Sequence, residues 1–306
     1  MYCIAVMVPP ASLQRLISVV PVGPGTFRGV LQPTRARRVF GGQLLGQALS
    51  AAAATAAGHP WPGSLHAYFI SRPLPDAPLD IDVVVRRDGR SHAWRHLVAR
   101  QGEQPVLEAV ACFRSGPAEE VRHAPPAPGP ETLRSPDEEI ARSSYDLKAY
   151  YDRLGPPAAD VRYVRGTPRE RTLRNDKDLR QEIWLRPYRP VAADPLVSAA
   201  AIAYISDLTL MSVPLVAQGI LGDGSDALGS SFDHVLRFYA VPDRLEWVYY
   251  QQRAEVSGAR TVEASGLLLD RDGRLIASVS QQGVVQAGPQ RPANEFPSDN
   301  PEEIHV

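Results

Sequence analysis

Alternation of apolar and polar residues predicts β-strands in the first half of the chain. Apolar residues occupy every second position from Leu79 to Val85, and aspartates stand between the first of them. This period of two is expected of a strand with one wet face. Residues 87–90 have the composition of a turn, and strand-like runs follow at 91–100 and 106–113. We therefore predict a series of antiparallel strands here.

An alanine-rich segment ahead of these strands predicts a helix. It begins at Gly41-Gly42, continues through apolar residues into the alanine-rich stretch 51–57, and stops at Gly58. Alanine is the best helix former, and glycine just past the last turn is a common stop signal. The first half is thus predicted to place one helix before its block of strands.

The second half repeats this order of elements. A strand-like run at 181–186 leads to Asp194-Pro195, an N-cap residue followed by proline at the first helical position. The helix is predicted to continue to about Met211. Strand-like segments follow at residues 231–239, 246–252, 261–269 and 275–285.

Matching offsets between the two halves indicate an internal duplication. His66 and His234 fall at equivalent points, as do the residue pairs that begin at Val106 and Leu275, to within a residue or so. A helix followed by a block of strands favours the α+β class. The alternative is that two unrelated α+β domains share this pattern by coincidence.

Composition divides the chain into four parts. We predict an N-terminal repeat over residues 1–115, a C-terminal repeat over 158–289 and a polar tail over 290–306. The segment 116–157 between the repeats is rich in proline and charge, so it is predicted to be a linker that buries little apolar surface. One short helix is predicted inside it, around Pro136–Leu154.

Charge and apolar content exclude several classes of protein. The formal net charge of −1 argues against a nucleic-acid partner, which needs clustered cations. No run of about 18 apolar residues is present, so no membrane span is expected. The N-terminus lacks the features of a signal peptide. Cys3 and Cys112 are too few for a disulfide framework, which favours a reducing, cytoplasmic location.

Asp207 interrupts an apolar stripe of the second predicted helix. Ala203 and Tyr204 lie one turn before it, and Leu210 and Met211 one turn after it. A carboxylate on such a face loses hydration, so its pKa should rise toward the range of a general base. The alternative is a partly exposed aspartate at the edge of the stripe that serves only packing.

Gln281 interrupts an apolar row of the last predicted strand, and a buried amide needs partners. Those partners could be structural or a bound water. The matching place in the first repeat lies near Cys112, so one copy is polar where the other is apolar.

Ser230 and Ser231 open the strand before His234, and one hydroxyl could bind water or substrate, although serine is also common at strand starts.

Several other chemistries lack their motifs. The sequence has no G-x-S-x-G nucleophile elbow, no P-loop and no glycine-rich dinucleotide fingerprint. His92 and His96 are four residues apart in a predicted strand, where that spacing does not suit the helical zinc pattern. We therefore predict an enzyme without metal or cofactor.

Ordered motifs from about Phe27 to Val285 resemble the acyl-CoA thioesterase II family, the TesB-type double-hotdog enzymes. The resembling segments are residues 38–49 (RVFGGQLLGQAL), 65–69 (LHAYF), 87–91 (RDGRS), 203–208 (AYISDL), 232–234 (FDH), 257–260 (SGAR) and 272–278 (DGRLIAS), with Gln281 and Gly283. The loop at 70–74 departs from the family pattern.

The resemblance implies two fused hotdog repeats, each a sheet wrapped around a central helix, that hydrolyse fatty acyl-CoA to free acid and CoA. It assigns activation of the attacking water to Asp207, Ser231 and Gln281. The glycines at 41–42 are candidate oxyanion donors, and His66 is a candidate substrate contact. A homodimer or homotetramer is implied as well.

Two alternative functions remain open. A hotdog enoyl-CoA hydratase would need an aspartate and a histidine near the central helix, and neither predicted helix contains a histidine. A catalytically silent acyl-CoA-binding protein would bind the same ligand without releasing thiol.

Overall fold

The computed structural model describes residues 11–32, 39–142, 158–220 and 228–286. The predicted tail at 290–306 lies outside the described residues, as does the second part of the helix predicted around 136–154. Within the described part, that helix spans Pro136–Arg142. No helix among the described residues has the length and apolarity needed to cross a membrane.

Thirteen strands form one antiparallel sheet that contains both repeats. The strands are β1 (Val19–Gly23), β2 (Thr26–Gly29), β3 (Trp61–Phe69), β4 (Leu79–Asp88), β5 (His92–Gln101), β6 (Gln104–Arg114), β7 (Ala159–Tyr163), β8 (Arg180–Pro187), β9 (Leu228–Ser231), β10 (Asp233–Phe238), β11 (Val248–Ser257), β12 (Thr261–Leu269) and β13 (Leu275–Gln286). The helices are α1 (Leu13–Ile17), α2 (Gly41–Ala54), α3 (Pro136–Arg142), α4 (Pro168–Leu173), α5 (Pro195–Ser206) and α6 (Ser212–Gln218).

The strand order shows the duplication directly. It runs β1-β2-β4-β5-β6-β3 in the first repeat and continues β10-β13-β12-β11-β8-β7 in the second, with β9 paired to β13. Strands β3 and β10 occupy corresponding places and join the two repeats by antiparallel pairing. Each repeat therefore reproduces the other's order in reverse across this junction, as the sequence offsets predict.

The two central helices α2 and α5 form the middle of the hydrophobic core. Asp194 caps α5 by accepting from the backbone N–H groups of Leu196 and Val197. Side chains on all sides of α5 are buried, because the helix packs against both the sheet and α2. Gly46 permits this contact, since a Cβ there would lie 3.0 Å from the carbonyl oxygen of Ala200.

The second central helix is shorter than predicted. It ends at Ser206, and Asp207 is its C-cap residue rather than a residue of its interior. The helix stops although apolar residues continue to Met211, because a tight turn places the N–H of Leu208 on the carbonyl of Ile205. A separate helix, α6, then begins at Ser212.

The predicted equivalence of His66 and His234 does not hold, because the two side chains point to opposite faces of the sheet. His66 pairs with Val235, whereas His234 pairs with Ala67 in the next row of the same two strands. His234 is fully buried on the inner face, and His66 points to the outer face. Because successive side chains alternate between faces, a shift of one residue reverses the direction of every side chain.

Part of the predicted linker runs along the second repeat. The backbones of Arg122 and Arg274 form an isolated antiparallel β-bridge, and the N–H of Leu275 donates to the carbonyl of Val121. Further along, the indole N–H of Trp184 donates to the carbonyl of Pro128 at 2.9 Å. The proline-rich segment thus satisfies backbone and side-chain groups at the surface of the C-terminal repeat.

Candidate active site

The end of α5 meets the beginning of α2, and Asp207 lies at this meeting point. Its side chain is 9% exposed. The N–H of Gly42 donates to the carboxylate. A Cβ at Gly41 would lie 2.8 Å from Oδ2 of Asp207, so glycine is needed for this close approach. Each repeat therefore contributes one side of the site.

Gln281 joins Asp207 to Ser231. It lies in β13 with its side chain buried, and its Nε2 donates to Oδ1 of Asp207 at 2.8 Å and to Oγ of Ser231 at 2.5 Å. Ser231 ends β9, which pairs with β13. Gln281 is thus within hydrogen-bond distance of both other side chains assigned from the family resemblance.

The surroundings of Asp207 strongly favour its neutral form. Burial raises its pKa to about 7, although donation from Gln281 and then from the N–H of Gly42 opposes this shift. Tyr204 and Tyr250 stand nearby, and burial followed by the charge of Asp207 raises the pKa of both phenols. The carboxyl group can therefore exchange a proton near neutral pH, as a general base must.

His234 also belongs to this cluster, although the sequence alone predicts no role for it. Its Nε2 lies 2.9 Å from Oγ of Ser206, and its Nδ1 lies 3.9 Å from Oδ1 of Asp207. Burial lowers the pKa of the ring to about 4, so the imidazole is neutral at pH 7. The one available signal was its place in the Phe232-Asp233-His234 motif.

Ser206, His234 and Asp207 follow the order of contacts in a serine hydrolase triad. Ser206 is nevertheless fully buried, and its Oγ also lies 3.0 Å from the carbonyl oxygen of Ala203. A nucleophile must reach the substrate, so this hydroxyl does not fit that role.

The structure does not bring every predicted site residue to this cluster. His66 lies on the outer face of the sheet, in a groove of about 310 Å³ that Cys112, Arg114 and Arg237 also line. The N–H of Gly42 is already directed at Asp207, which leaves the N–H of Gly41 as the candidate of the two for an oxyanion role. Ser230 precedes Ser231 in β9, and strand geometry directs its side chain to the other face.

The corresponding place in the first repeat is filled by a buried arginine. Thr55 is the C-cap residue of α2, as Asp207 is of α5. Arg95 is 1% exposed and donates to Oγ1 and the carbonyl of Thr55 and to Oδ1 of Asp88. The inward-facing neighbour of Arg95 on β6 is Ala111, one residue before Cys112, near which the place matching Gln281 is predicted.

The cluster contains nitrogen and oxygen atoms but no grouping typical of a metal site. Across the four described ranges, no set of three histidine, cysteine, aspartate or glutamate residues converges as metal ligands would. The described donors are instead arranged around a single carboxylate, with amide, hydroxyl and backbone N–H groups.

Comparison with known proteins agrees with this architecture. Residues 32–114 match the family model of the acyl-CoA thioesterase N-terminal domain, and residues 121–285 match that of the C-terminal domain. Acyl-coenzyme A thioesterase 8 of Homo sapiens is 27% identical over 299 residues, which cover 92% of each chain.

Solved structures show the same fold. The tesB protein of Mycobacterium avium subsp. paratuberculosis is 27% identical, with a TM-score of 0.71 over 90% of this chain and 98% of that one. A protein with a hot dog fold from Alicyclobacillus acidocaldarius, 20% identical, has a TM-score of 0.71 over 90% and 98% of the two chains. The chain described here belongs to the acyl-CoA thioesterase family and has its double-hotdog fold.

Proposed function

We propose that this chain hydrolyses fatty acyl-CoA with a water molecule activated by Asp207, Ser231 and Gln281. One observation carries the proposal: a single buried amide, that of Gln281, donates both to the carboxylate and to the hydroxyl. Positioned groups of this kind lower a barrier by holding the reactants in line, which can contribute several kcal/mol.

In this mechanism Asp207 accepts a proton from water while the water oxygen attacks the thioester carbonyl carbon. The carbonyl oxygen becomes an oxyanion, and the N–H of Gly41 at the start of α2 is the proposed donor to it. Collapse of the tetrahedral intermediate breaks the carbon–sulfur bond. The sulfur takes the proton held by Asp207, and free acid and CoA leave.

The decisive experiment is release of CoA thiol from a panel of acyl-CoAs of increasing chain length, followed with a disulfide reagent. We expect hydrolysis by the wild type and a loss of at least about 10³-fold in kcat for Asp207→Asn, which keeps the shape but removes the base. Circular dichroism provides the folding control. An Asp207→Asn variant with near wild-type turnover would contradict the proposal.

A hotdog hydratase is the second candidate, because the structure supplies the aspartate–histidine pair that the helices alone lack. His234 comes from a strand and lies 3.9 Å from Asp207. A hydratase would change the absorbance of an enoyl-CoA without releasing thiol, and a silent binding protein would do neither. Thiol release and the absorbance of an enoyl-CoA, measured together, therefore separate the three functions.

The assembly and location of the enzyme are further proposals. Exposed sheet edges favour pairing between copies, so we propose a homodimer or homotetramer, to be measured by light scattering. We also propose a cytoplasmic enzyme, which fractionation of the source cells would test.

A further inference from the structure

The groove on the outer face of the sheet lies at the junction of the two repeats. Strands β5, β6 and β3 of the first repeat and β10 of the second contribute its lining, in the order in which they pair. Its charged and titratable lining residues are His66, His92, Cys112, Arg114, Arg237 and Tyr239. Among the described residues that line it there is no aspartate or glutamate. The groove therefore presents cations without carboxylates.

This groove is separate from the site around Asp207. Asp207 ends the central helix α5, which packs against the inner face of the sheet, whereas His66 is exposed on the outer face. The ring of Phe69, at the end of β3, lies 3.2 Å from the point where a Cβ of Gly41 would stand beside Asp207. The groove lies near Ser64 instead, and five residues of strand span about 17 Å. The sheet thus stands between the two places.

Arg114 brings a cation into the groove without a carboxylate partner. Its Nη2 donates to the carbonyl oxygens of Pro62 at 2.8 Å and of Phe238 at 3.0 Å, so the guanidinium connects the two repeats. Its Nε is buried and has no hydrogen-bond partner among the described residues. Burial lowers the pKa of Arg114, as expected of a desolvated cation. Carbonyl groups therefore hold this cation in place but do not neutralise it.

Arg237 is the second cation of the groove, and His66 responds to its charge. Arg237 is exposed and pairs with Ser64 of the neighbouring strand. Burial, and then the charge of Arg237, lower the pKa of His66. An anion that neutralised Arg237 would raise this pKa, because it would favour the protonated ring. The imidazole of His66 can therefore report whether the groove is occupied.

Phosphate is the anion that suits these groups. A guanidinium group matches two phosphate oxygens at once, and hydrogen bonds between charged partners are the strong ones. Arg114 and Arg237 stand on the strands that flank β3 on either side. A tetrahedral dianion has oxygens directed toward both sides, whereas a carboxylate has two oxygens in one plane. Ser64 adds a hydroxyl donor between the two cations.

We propose that this groove binds a phosphate dianion, either free or as part of a small phosphate ester. Bound there, the anion would connect β6 of the first repeat to β10 of the second across β3. The groove is larger than one phosphate group, which leaves space for the rest of an ester. This site does not rest on the proposed function, since it shares no residue with the group around Asp207.

NMR titration of the histidine side chains tests the site directly. Sulfate is the first probe, because it is a tetrahedral dianion whose charge is constant from pH 5 to 9. We expect saturating sulfate to raise the pKa of His66 by about half a unit or more, relative to chloride at equal ionic strength. His66→Asn identifies the signal, and His123, which does not line the groove, is the internal reference.

Two arginine variants with the same change in charge separate a site from general ionic screening. In Arg237→Gln we expect a higher His66 pKa without sulfate and no further rise with it. Arg86→Gln, at an exposed position of β4 outside the groove, should respond as the wild type does. Equal responses in the two variants, or a wild-type response that does not saturate, would overturn the proposal.

Calorimetric titrations with inorganic phosphate, ADP and CoA identify the form of the ligand. We expect a dissociation constant of about 1 mM or below for at least one of them, and a loss of at least about tenfold in Arg237→Gln. Only the binding lost in this variant belongs to the groove, since CoA also has the thioester site as a target. Tighter binding of ADP or CoA than of phosphate would assign an ester, and the reverse would assign the free ion. Binding of all three unchanged in Arg237→Gln would refute the site.

Discussion

Asp207 combines a high pKa with a position where its charge is costly to the fold. Its burial raises the pKa to about 7, so the base form that accepts a proton from water is populated only as the pH approaches and passes that value. We expect kcat/KM to rise with pH, with an acid limb near pH 7, and to level off above it. A rate profile for a short acyl-CoA over pH 5–9 measures this, and a limb near pH 4 would contradict the buried-base mechanism.

The same pKa predicts a stability penalty at high pH. The folded state retains the proton of Asp207 up to about pH 7, whereas an unfolded aspartate loses it near 3.8. Stability contributed by this group is therefore complete below about pH 4 and is lost as the pH rises to about 7. Relative to wild type, we expect Asp207→Asn to gain about 2–4 kcal/mol in unfolding free energy at pH 8. Denaturant titrations at pH 4.5 and pH 8 would show whether the gain is confined to the higher pH.

Ser231 and Ser230 offer a test of which hydroxyl acts. Of the two hydroxyls, that of Ser231 accepts a hydrogen bond from Gln281. We expect Ser231→Ala to lower kcat by about 10–100-fold, and Ser231→Thr, which keeps the hydroxyl, to restore most of it. Thiol-release kinetics of Ser230→Ala provide the comparison. Loss of activity in that variant rather than in Ser231→Ala would move the assignment by one residue.

At the scale of residues, the sequence identified the polar residues that interrupt apolar rows better than it identified the side chains beside them. Asp207 and Gln281 were visible because each interrupts an apolar row, and both are largely buried as that pattern indicates. His234 was not singled out, because a strand residue reveals its face only when the register is known. A shift of one residue separates the inner position of His234 from the outer position of His66.

At the scale of elements, local chemistry predicted helix starts more reliably than helix ends. Asp194 with the proline after it correctly marked the start of α5. Its end at Ser206 depends on contacts distant in sequence, since the hydroxyl of Tyr250 on β11 donates to the carbonyl of Ser206. No pattern within the helix could show that partner, so the prediction extended it to Met211.

Replacement of the buried arginine of the first repeat is expected to lower stability without affecting catalysis. Arg95 fills the place that corresponds to the active site and bonds to Thr55 and Asp88. We expect Arg95→Ala to lower the unfolding free energy by about 2–4 kcal/mol, because it leaves a cavity and an unpaired carbonyl. Thermal unfolding measures the loss. The kcat should stay within twofold of wild type, and a large drop would show that this place takes part in the reaction.

At the scale of the whole molecule, the site depends on how closely α2 and α5 approach. Gly41 and Gly46 lie on the same helix, but a Cβ at Gly41 would press on Asp207 while one at Gly46 would meet Ile17 and the carbonyl of Ala200. We expect Gly41→Ala to lower kcat at least tenfold with a small change in stability. Gly46→Ala should cost about 1–3 kcal/mol of stability and leave kcat nearly unchanged. Steady-state kinetics and unfolding curves of both variants test this expectation. Equal effects on kcat and on stability in the two variants would contradict it.

The duplicated architecture was predictable because both halves share the same order of elements, and this order can be recognised in the sequence without knowledge of tertiary contacts. The outer strands were not predicted. Strands β1, β2 and β7 are short, with no sustained alternation, and they take their form from the neighbours they pair with. A resemblance over most of the chain identified the family, and the register of the sheet supplied the geometry.

The covalent connection between the two repeats has a consequence for the behaviour of the enzyme in dilute solution. Gly41 and Asp207 approach one another across the seam between repeats. In a hotdog assembled from separate subunits, such a seam would open as protein concentration falls below the dissociation constant. Here both sides belong to one polypeptide, and tethering keeps the effective concentration of one repeat at the other far above the nanomolar range. Specific activity contributed by this seam should therefore persist at nanomolar enzyme, whatever larger assembly the chain forms.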